Sequence, residues 1–173
     1  MKRNALICLL ISIMLFSIET VYAAKKNIRE EYPLSNQQVI INYSKPVVEM
    51  FEQCRSMLID SYTNIADKLS TNSTSTLISA QVTANIGKKQ HIRAYMEYSV
   101  ILEFKENRAR LTFSNVLIHT FNGYGQHFVN KPNEMGKWFN RTWKEASIDF
   151  IGDYNRIYNK VKAIADGNYE SDW

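Results

Sequence analysis

The chain has 173 residues, of which 45% are hydrophobic, and a formal net charge of +4 at pH 7. That apolar fraction supports one globular domain with a real core. The weak positive charge argues against nucleic acid, and a single cysteine beyond the leader excludes an intramolecular disulfide.

Residues 1–23 read as an export signal. Lys2 and Arg3 open it, residues 5–16 are almost wholly apolar, and Val21-Tyr22-Ala23 supplies small residues for signal peptidase. The apolar run is shorter than the roughly 20 residues a helix needs to cross a bilayer. An uncleaved anchor is the alternative reading. Cys8 lies too early to become the lipidated first residue of a lipoprotein. Cleavage after Ala23 removes Lys2, Arg3 and Glu19 and leaves a charge of +3. The expectation is an exported chain, periplasmic or secreted, with no integral membrane segment once the signal is cut.

Residues 24–36 are polar, charged and broken by Pro33, the pattern of a mobile arm. Residues 37–167 form the expected domain, and residues 168–173 a tail. Residues 38–43 (QVIINY) are β-branched and apolar and predict a short strand. A long helix is expected next, with Ser44 as cap and Pro46 in its first turn. Val47, Phe51, Cys54, Leu58, Ile65 and Leu69 recur at three- and four-residue steps, with Tyr62 filling the gap. The polar run STNSTST, residues 70–76, reads as the loop that ends it.

Ile78, Ala80, Val82, Ala84 and Ile86 alternate with polar residues and predict a half-buried strand. Gly87-Lys88-Lys89 reads as a turn. Met96, Tyr98, Val100, Leu102 and Phe104 predict a second strand. Residues 105–108 form a tight-turn candidate, with Asn107 suited to a left-handed conformation. Ala109, Leu111 and Phe113 resume the alternation, and a slip of phase at Asn115 predicts a β-bulge. A second helix over residues 144–165 carries Ile148, Ile151, Tyr154, Tyr158, Val161 and Ala165, widened by Phe150, Ile157 and Ile164. Gly167 is placed to end it, and Gly152 inside it reads as room for close helix–sheet approach. Strand, helix, a run of strands and a helix define an α+β fold, an antiparallel sheet of four to five strands with both helices on one face.

Two segments resemble an exported bacterial family, the domain of unknown function 4468 family, described as TBP-like. One is MFEQCRSML, residues 50–58, after QVIINYSK. The other is ILEFKENRARLTFSNV, residues 101–116, similar to the hairpin in which the family carries Lys-Asp-Gly-Lys-Tyr-Arg. Here that hexad is Lys105-Glu106-Asn107-Arg108-Ala109-Arg110, and a tryptophan common in the family's first helix falls at Met57. The resemblance covers about half the chain beyond the leader and brings no activity or catalytic residue. It implies four strands between the helices where periodicity shows three. The fourth is expected near residues 125–129.

The chemistry-bearing residues are sparse. No nucleophile elbow, Walker loop, dinucleotide glycine pattern or zinc helix occurs in the sequence. Cys54 lies on the apolar stripe, where burial makes a thiol inert. The histidines His91, His119 and His127 are too scattered for a zinc site. Glu97 and Glu103 share a strand face, but at strand rise they stand roughly 20 Å apart, too far for an acid–base pair. Sequons at Asn42, Asn72 and Asn140 matter only in a eukaryotic secretory route.

Residues 121–143 hold six aromatic rings. Core cover explains most of them, leaving Tyr124, Trp138, Phe139 and Trp143 as binding candidates. Arg108 and Arg110, with Lys105, form a basic knob that is either solvated or meets an anionic partner. The leading expectation is a non-enzymatic exported domain without cofactor or metal. It would bind a protein or envelope component through its sheet face or aromatic loop. The alternative is a small-ligand or cell-wall sugar binding protein or enzyme using residues 121–143, with His119 or His127 as polar groups.

Overall fold

Pro46 has no backbone N–H to offer a ladder, and it divides the first strand from the first helix. The structure is a computed structural model describing residues 34–62, 65, 68–71, 76–89, 92–122, 125–128 and 136–169. The expected signal and all but the last three residues of the expected arm lie outside these. Strand β1 is Gln37–Asn42 and helix α1 is Val47–Ser61. Then come β2 (Leu69–Thr71), β3 (Leu77–Lys89), β4 (Ile92–Lys105), β5 (Arg108–Asn122), β6 (Gly125–Phe128) and α2 (Gly136–Asp166).

All strand pairs are antiparallel, in the order β1-β5-β4-β3-β2, with β6 also on β5. β1 pairs with residues 108–113 of β5 and β6 with residues 119–122. The two therefore share one edge, and six strands make a sheet five strands wide. The sequence expectation of an α+β fold with two helices on one face is what the structure has. β6 fills the place of the fourth strand, and the three-residue β2 is an addition the sequence did not announce.

Alternation decides the faces. Ile78, Ala80, Val82, Met96, Tyr98, Val100, Leu102, Phe104, Leu111 and Phe113 are buried beneath the helices. Phe150 meets the rings of Tyr98 and Phe113 edge-on at 5.3 and 5.8 Å. Across the bulge, Asn115 and Val116 oppose Tyr98, since Glu97 pairs with Leu117 and Ser99 with Ser114. Asn115 has φ +56°, the left-handed residue that a glycine usually supplies to this bulge. Ile118 and Thr120 thereby turn inward, and Leu117, His119 and Phe121 outward.

Several boundaries differ from the sequence reading. Pro46, not Ser44, is the N-cap of α1, with no side-chain capping bond. The helix ends at Ser61 because Tyr62 is extended, at φ −133° and ψ 120°, and Leu69 joins β2. Gly87 lies inside β3 at a second bulge, not in a turn, and its N–H donates to Asn85 Oδ1 at 3.1 Å. α2 begins at Gly136, so Trp138, Phe139 and Trp143 belong to its first turns. Its buried side is Ala146, Phe150, Ile157, Val161 and Ile164, and Ile148 is 54% exposed. Gly152 makes no close approach, for a Cβ there would find nothing within 4 Å. Gly167, at φ +76°, ends the helix, and Asn168 N–H donates to the Ala163 carbonyl, a Schellman closure.

Candidate functional site

α1 stops short of covering the sheet, and this creates the site. Past Ser61 the chain leaves the inner face of β3 and β4 around Val82, Ala84 and Met96. α2 faces the same ground with Asp149, Asp153 and Arg156. Between them lies a cleft of about 600 Å³, closed on the other side by Tyr62, Ile65 and Lys68. Its floor is apolar and its rim polar, and the volume is that of a small-ligand pocket.

Asp153 organises the inner wall. Tyr62 and Tyr98 both donate phenolic hydrogen bonds to its Oδ2 at 2.5 Å. Arg156 donates to Oδ1 through Nε at 2.9 Å and through a second guanidinium nitrogen. The Arg156 guanidinium also stands over the Tyr62 ring, 5.1 Å from its centroid, a cation–π contact. Three segments are thus tied at one carboxylate: the end of α1, β4 and α2. The Asp153 side chain is only 16% exposed, so those bonds satisfy a charge that burial would otherwise penalise.

Burial first, and then the Tyr98 and Asp153 charges, push the Tyr62 phenol far above its ordinary value. Burial and then Asp153 do the same to Tyr98. Both phenols stay protonated donors at any physiological pH. A general base needs a pKa near the working pH, which neither offers, and Asp153 has its oxygens occupied. The arrangement holds shape and presents polar groups. Lys160 extends it, donating to Ser61 Oγ at 3.3 Å.

Among the described residues, those singled out in the sequence do not form one site. Trp143 is 8% exposed, so it offers a ligand no open ring. Tyr124 and the side chains of Trp138, Phe139 and His127 lie outside the described residues, as does His91. Arg108 and Arg110 flank the β4–β5 turn beside exposed Ile40, in a hollow of about 230 Å³. Arg110 donates from Nε to Glu103 at 2.6 Å. Thr142, beside Trp143, stands 3.7 Å from where a Gly87 Cβ would sit. Gly87 pairs with Ala94, at the opposite end of β4 from the Lys105–Arg108 pair. At strand rise that separates the tryptophan end from the arginines by roughly 35 Å.

His119 is buried, stacked on Tyr95 at 5.5 Å, with Nε2 3.9 Å from Glu97 Oε1. Cys54 is fully buried, and burial pushes its thiol up to about 12. Among the described residues no group of three or more His, Cys, Asp or Glu is placed to hold a metal ion. No helix among them is long and apolar enough to cross a membrane. The face away from the helices exposes Ile40 (59%), Leu117 (47%) and Phe121 (49%).

Sequence reasoning missed Tyr62, Tyr98, Asp153 and Arg156 as a group. A signal was present: two phenols at core positions, each with a hydroxyl that burial requires to be satisfied. Asp153 with Arg156 at i,i+3 on the second helix was the natural acceptor.

No family model and no curated protein matches the chain. Solved structures do. A TBP-like protein from Parabacteroides distasonis ATCC 8503 aligns with 78% of this chain and 94% of its own, at 12% identity and a TM-score of 0.52. A DUF4468 family protein from Bacteroides ovatus ATCC 8483 aligns with 71% of this chain and 85% of its own, at 6% identity and a TM-score of 0.41. The first is similar in fold, which is TBP-like; the second is a looser structural match.

Proposed function

We propose that this chain is an exported, non-enzymatic binding domain that recognises an envelope component or protein partner at the cleft between α1, α2 and β3–β4. The observation that carries the reading is the combination of cleft and clasp. A void of about 600 Å³ persists beside a carboxylate held by two phenols and a guanidinium. Such a wall is rigid before any ligand arrives, which lowers the ordering cost of binding. Its protonated phenols and saturated carboxylate suit recognition better than proton transfer. Export is supported by the signal-like residues 1–23.

The full chain, expressed in export-competent bacteria, is expected outside the cytoplasm with the mass of a chain starting at Ala24. Isotope-labelled exported protein titrated with small-molecule and protein fractions of envelope extract should shift the amides of Val82, Ala84, Met96 and Asp153. No shift with any fraction refutes the reading. Exposed Leu117, Phe121 and Ile40 favour a second one, a protein partner on the open sheet face. Shifts confined to those residues would establish it instead.

A further inference from the structure

The closing pair of the β4–β5 hairpin sets two like charges against each other. Lys105 pairs with Arg108, Phe104 with Ala109 and Glu103 with Arg110. Phe104 and Ala109 are buried, so alternation turns the other four side chains to the open face of the sheet. β1 adds Ile40 opposite Arg110 on that face. Directly opposed residues have Cβ atoms roughly 5 Å apart, and like charges there destabilise a sheet. Glu103 does not relieve Lys105 and Arg108, because it accepts from Nε and a second guanidinium nitrogen of Arg110. Both cations are exposed, and among the described residues neither side chain has a hydrogen bond or ion pair, nor has Glu106 in the turn between them. Together with Ile40, Glu103, Ala109 and Arg110 they line the hollow of about 230 Å³. Its frame is tied down. The Tyr43 hydroxyl donates to the Lys105 carbonyl at 2.6 Å, the Tyr43 N–H donates to the Asn107 carbonyl at 3.1 Å, and Asn107 closes the turn at φ +62°.

We infer that this hollow binds a phosphate monoester with a small apolar substituent, its phosphate seated between Lys105 and Arg108. The site lies on the sheet face opposite the cleft, and the inference stands apart from the cleft reading. Charge selects the group. A phosphate monoester carries about −1.5 to −2 at pH 7, which matches two unopposed cations, whereas a carboxylate or a phosphodiester carries one charge and leaves a cation over. Arg108 offers a planar fork for two phosphate oxygens, and Lys105 a point charge for the third. A dianion between them replaces a like-charge repulsion with two attractions. A second anionic group would meet Glu103, so the rest of the ligand is uncharged. Ile40, 59% exposed, gives that remainder an apolar wall. The hollow is smaller than the roughly 300–1,000 Å³ of pockets for drug-sized ligands, and takes the phosphate with a few carbons. A soluble ester and the headgroup of phosphatidic acid share this chemistry.

The test titrates isotope-labelled exported protein with butyl phosphate, using diethyl phosphate and butyrate as singly charged controls. A second arm mixes the protein with neutral-lipid vesicles, with and without phosphatidic acid. Butyl phosphate is expected to shift the amides of Ile40, Lys105 and Arg108 and to leave those of Val82 and Ala84 in place. It should bind about fivefold or more tighter than either control. Lys105→Gln and Arg108→Gln change exposed side chains and keep the fold, and each should weaken binding about fivefold. Arg93→Gln removes the same charge at the far end of β4 and should change nothing. Glu103→Gln should tighten binding, since it removes the neighbouring carboxylate and releases Arg110. Vesicle binding that needs both phosphatidic acid and Arg108 assigns the ester to a lipid headgroup; response to butyl phosphate alone assigns it to a soluble compound. Equal affinity for the three anions, an equal loss in Arg93→Gln, or silence with both butyl phosphate and phosphatidic acid overturns the inference. Shifts at Val82 and Ala84 in place of the hairpin also overturn it and give the ester to the cleft.

Discussion

Removing the Asp153 carboxylate should cost this chain far more than a surface substitution. In Asp153→Ala, Tyr62 and Tyr98 each lose a hydrogen bond to a charged acceptor, which is worth about 1.5–3 kcal/mol. The Arg156 side chain is 39% exposed, so water screens its share to about 1 kcal/mol or less. The hydroxyls left behind are buried in a protein that relaxes only in part, and the expected loss is about 3–5 kcal/mol. Tyr62→Phe and Tyr98→Phe should each cost about 1–2 kcal/mol. Urea unfolding of the single and paired variants supplies the measurement. In the double-mutant cycles, each tyrosine should couple to Asp153 by about 1–3 kcal/mol. A loss below about 0.5 kcal/mol for Asp153→Ala, or strict additivity, refutes the clasp as the feature that shapes the cleft wall.

The same clasp sets an alkaline limit. Both phenols have folded-state pKa values raised above the ordinary 10 or so. Above about pH 10 the unfolded chain releases protons that the folded chain retains, so stability present below that pH falls as pH rises. Urea midpoints should hold level to about pH 9 and then decline. The decline should be shallower in the Tyr62→Phe/Tyr98→Phe pair. Cys54, with its thiol raised to about 12, should react with a thiol reagent only as fast as the chain unfolds; prompt labelling in the native state would contradict its burial. Gly152→Ala should stabilise by up to about 1 kcal/mol, because the Cβ meets nothing within 4 Å; a lower thermal midpoint would show that the space is not open. Phe150→Ala should destabilise by about 3–5 kcal/mol in urea, since it empties the centre of the Tyr98–Phe113 ring cluster.

Local patterns carried much of the architecture. Alternation over residues 78–86 and 96–113 marks inner and outer faces correctly, because a strand's side chains have a period of two whatever they pack against. The phase slip at Asn115 appears as a bulge for the same reason. Gly167 stops α2 because the left-handed turn it takes is a property of that residue. Boundaries and faces were less legible. Ile65 and Leu69 prolong the helical spacing of α1, yet Tyr62 becomes extended and Leu69 pairs with Ala80. In α2 the apolar face read through Ile148, Ile151, Tyr154, Tyr158, Val161 and Ala165, widened by Phe150, Ile157 and Ile164, is buried at Val161, Ala165 and the three widening residues, while Ile148 is left exposed. Trp143 likewise went to the interior because α2 begins at Gly136, seven residues earlier than that ring.

What the sequence determined by itself was therefore both helices, the strands β1, β3, β4 and β5 and the α+β class, since periodicity, turn residues and helix stops act over a few neighbouring residues. The cleft was decided only by tertiary structure. Tyr62 and Asp153 are 91 residues apart in the chain, and Tyr98 and Asp153 are 55 apart. Nothing in local spacing selects such partners. They meet because α1 ends early and α2 crosses the same face of the sheet, and a buried carboxylate requires every donor that packing brings within reach.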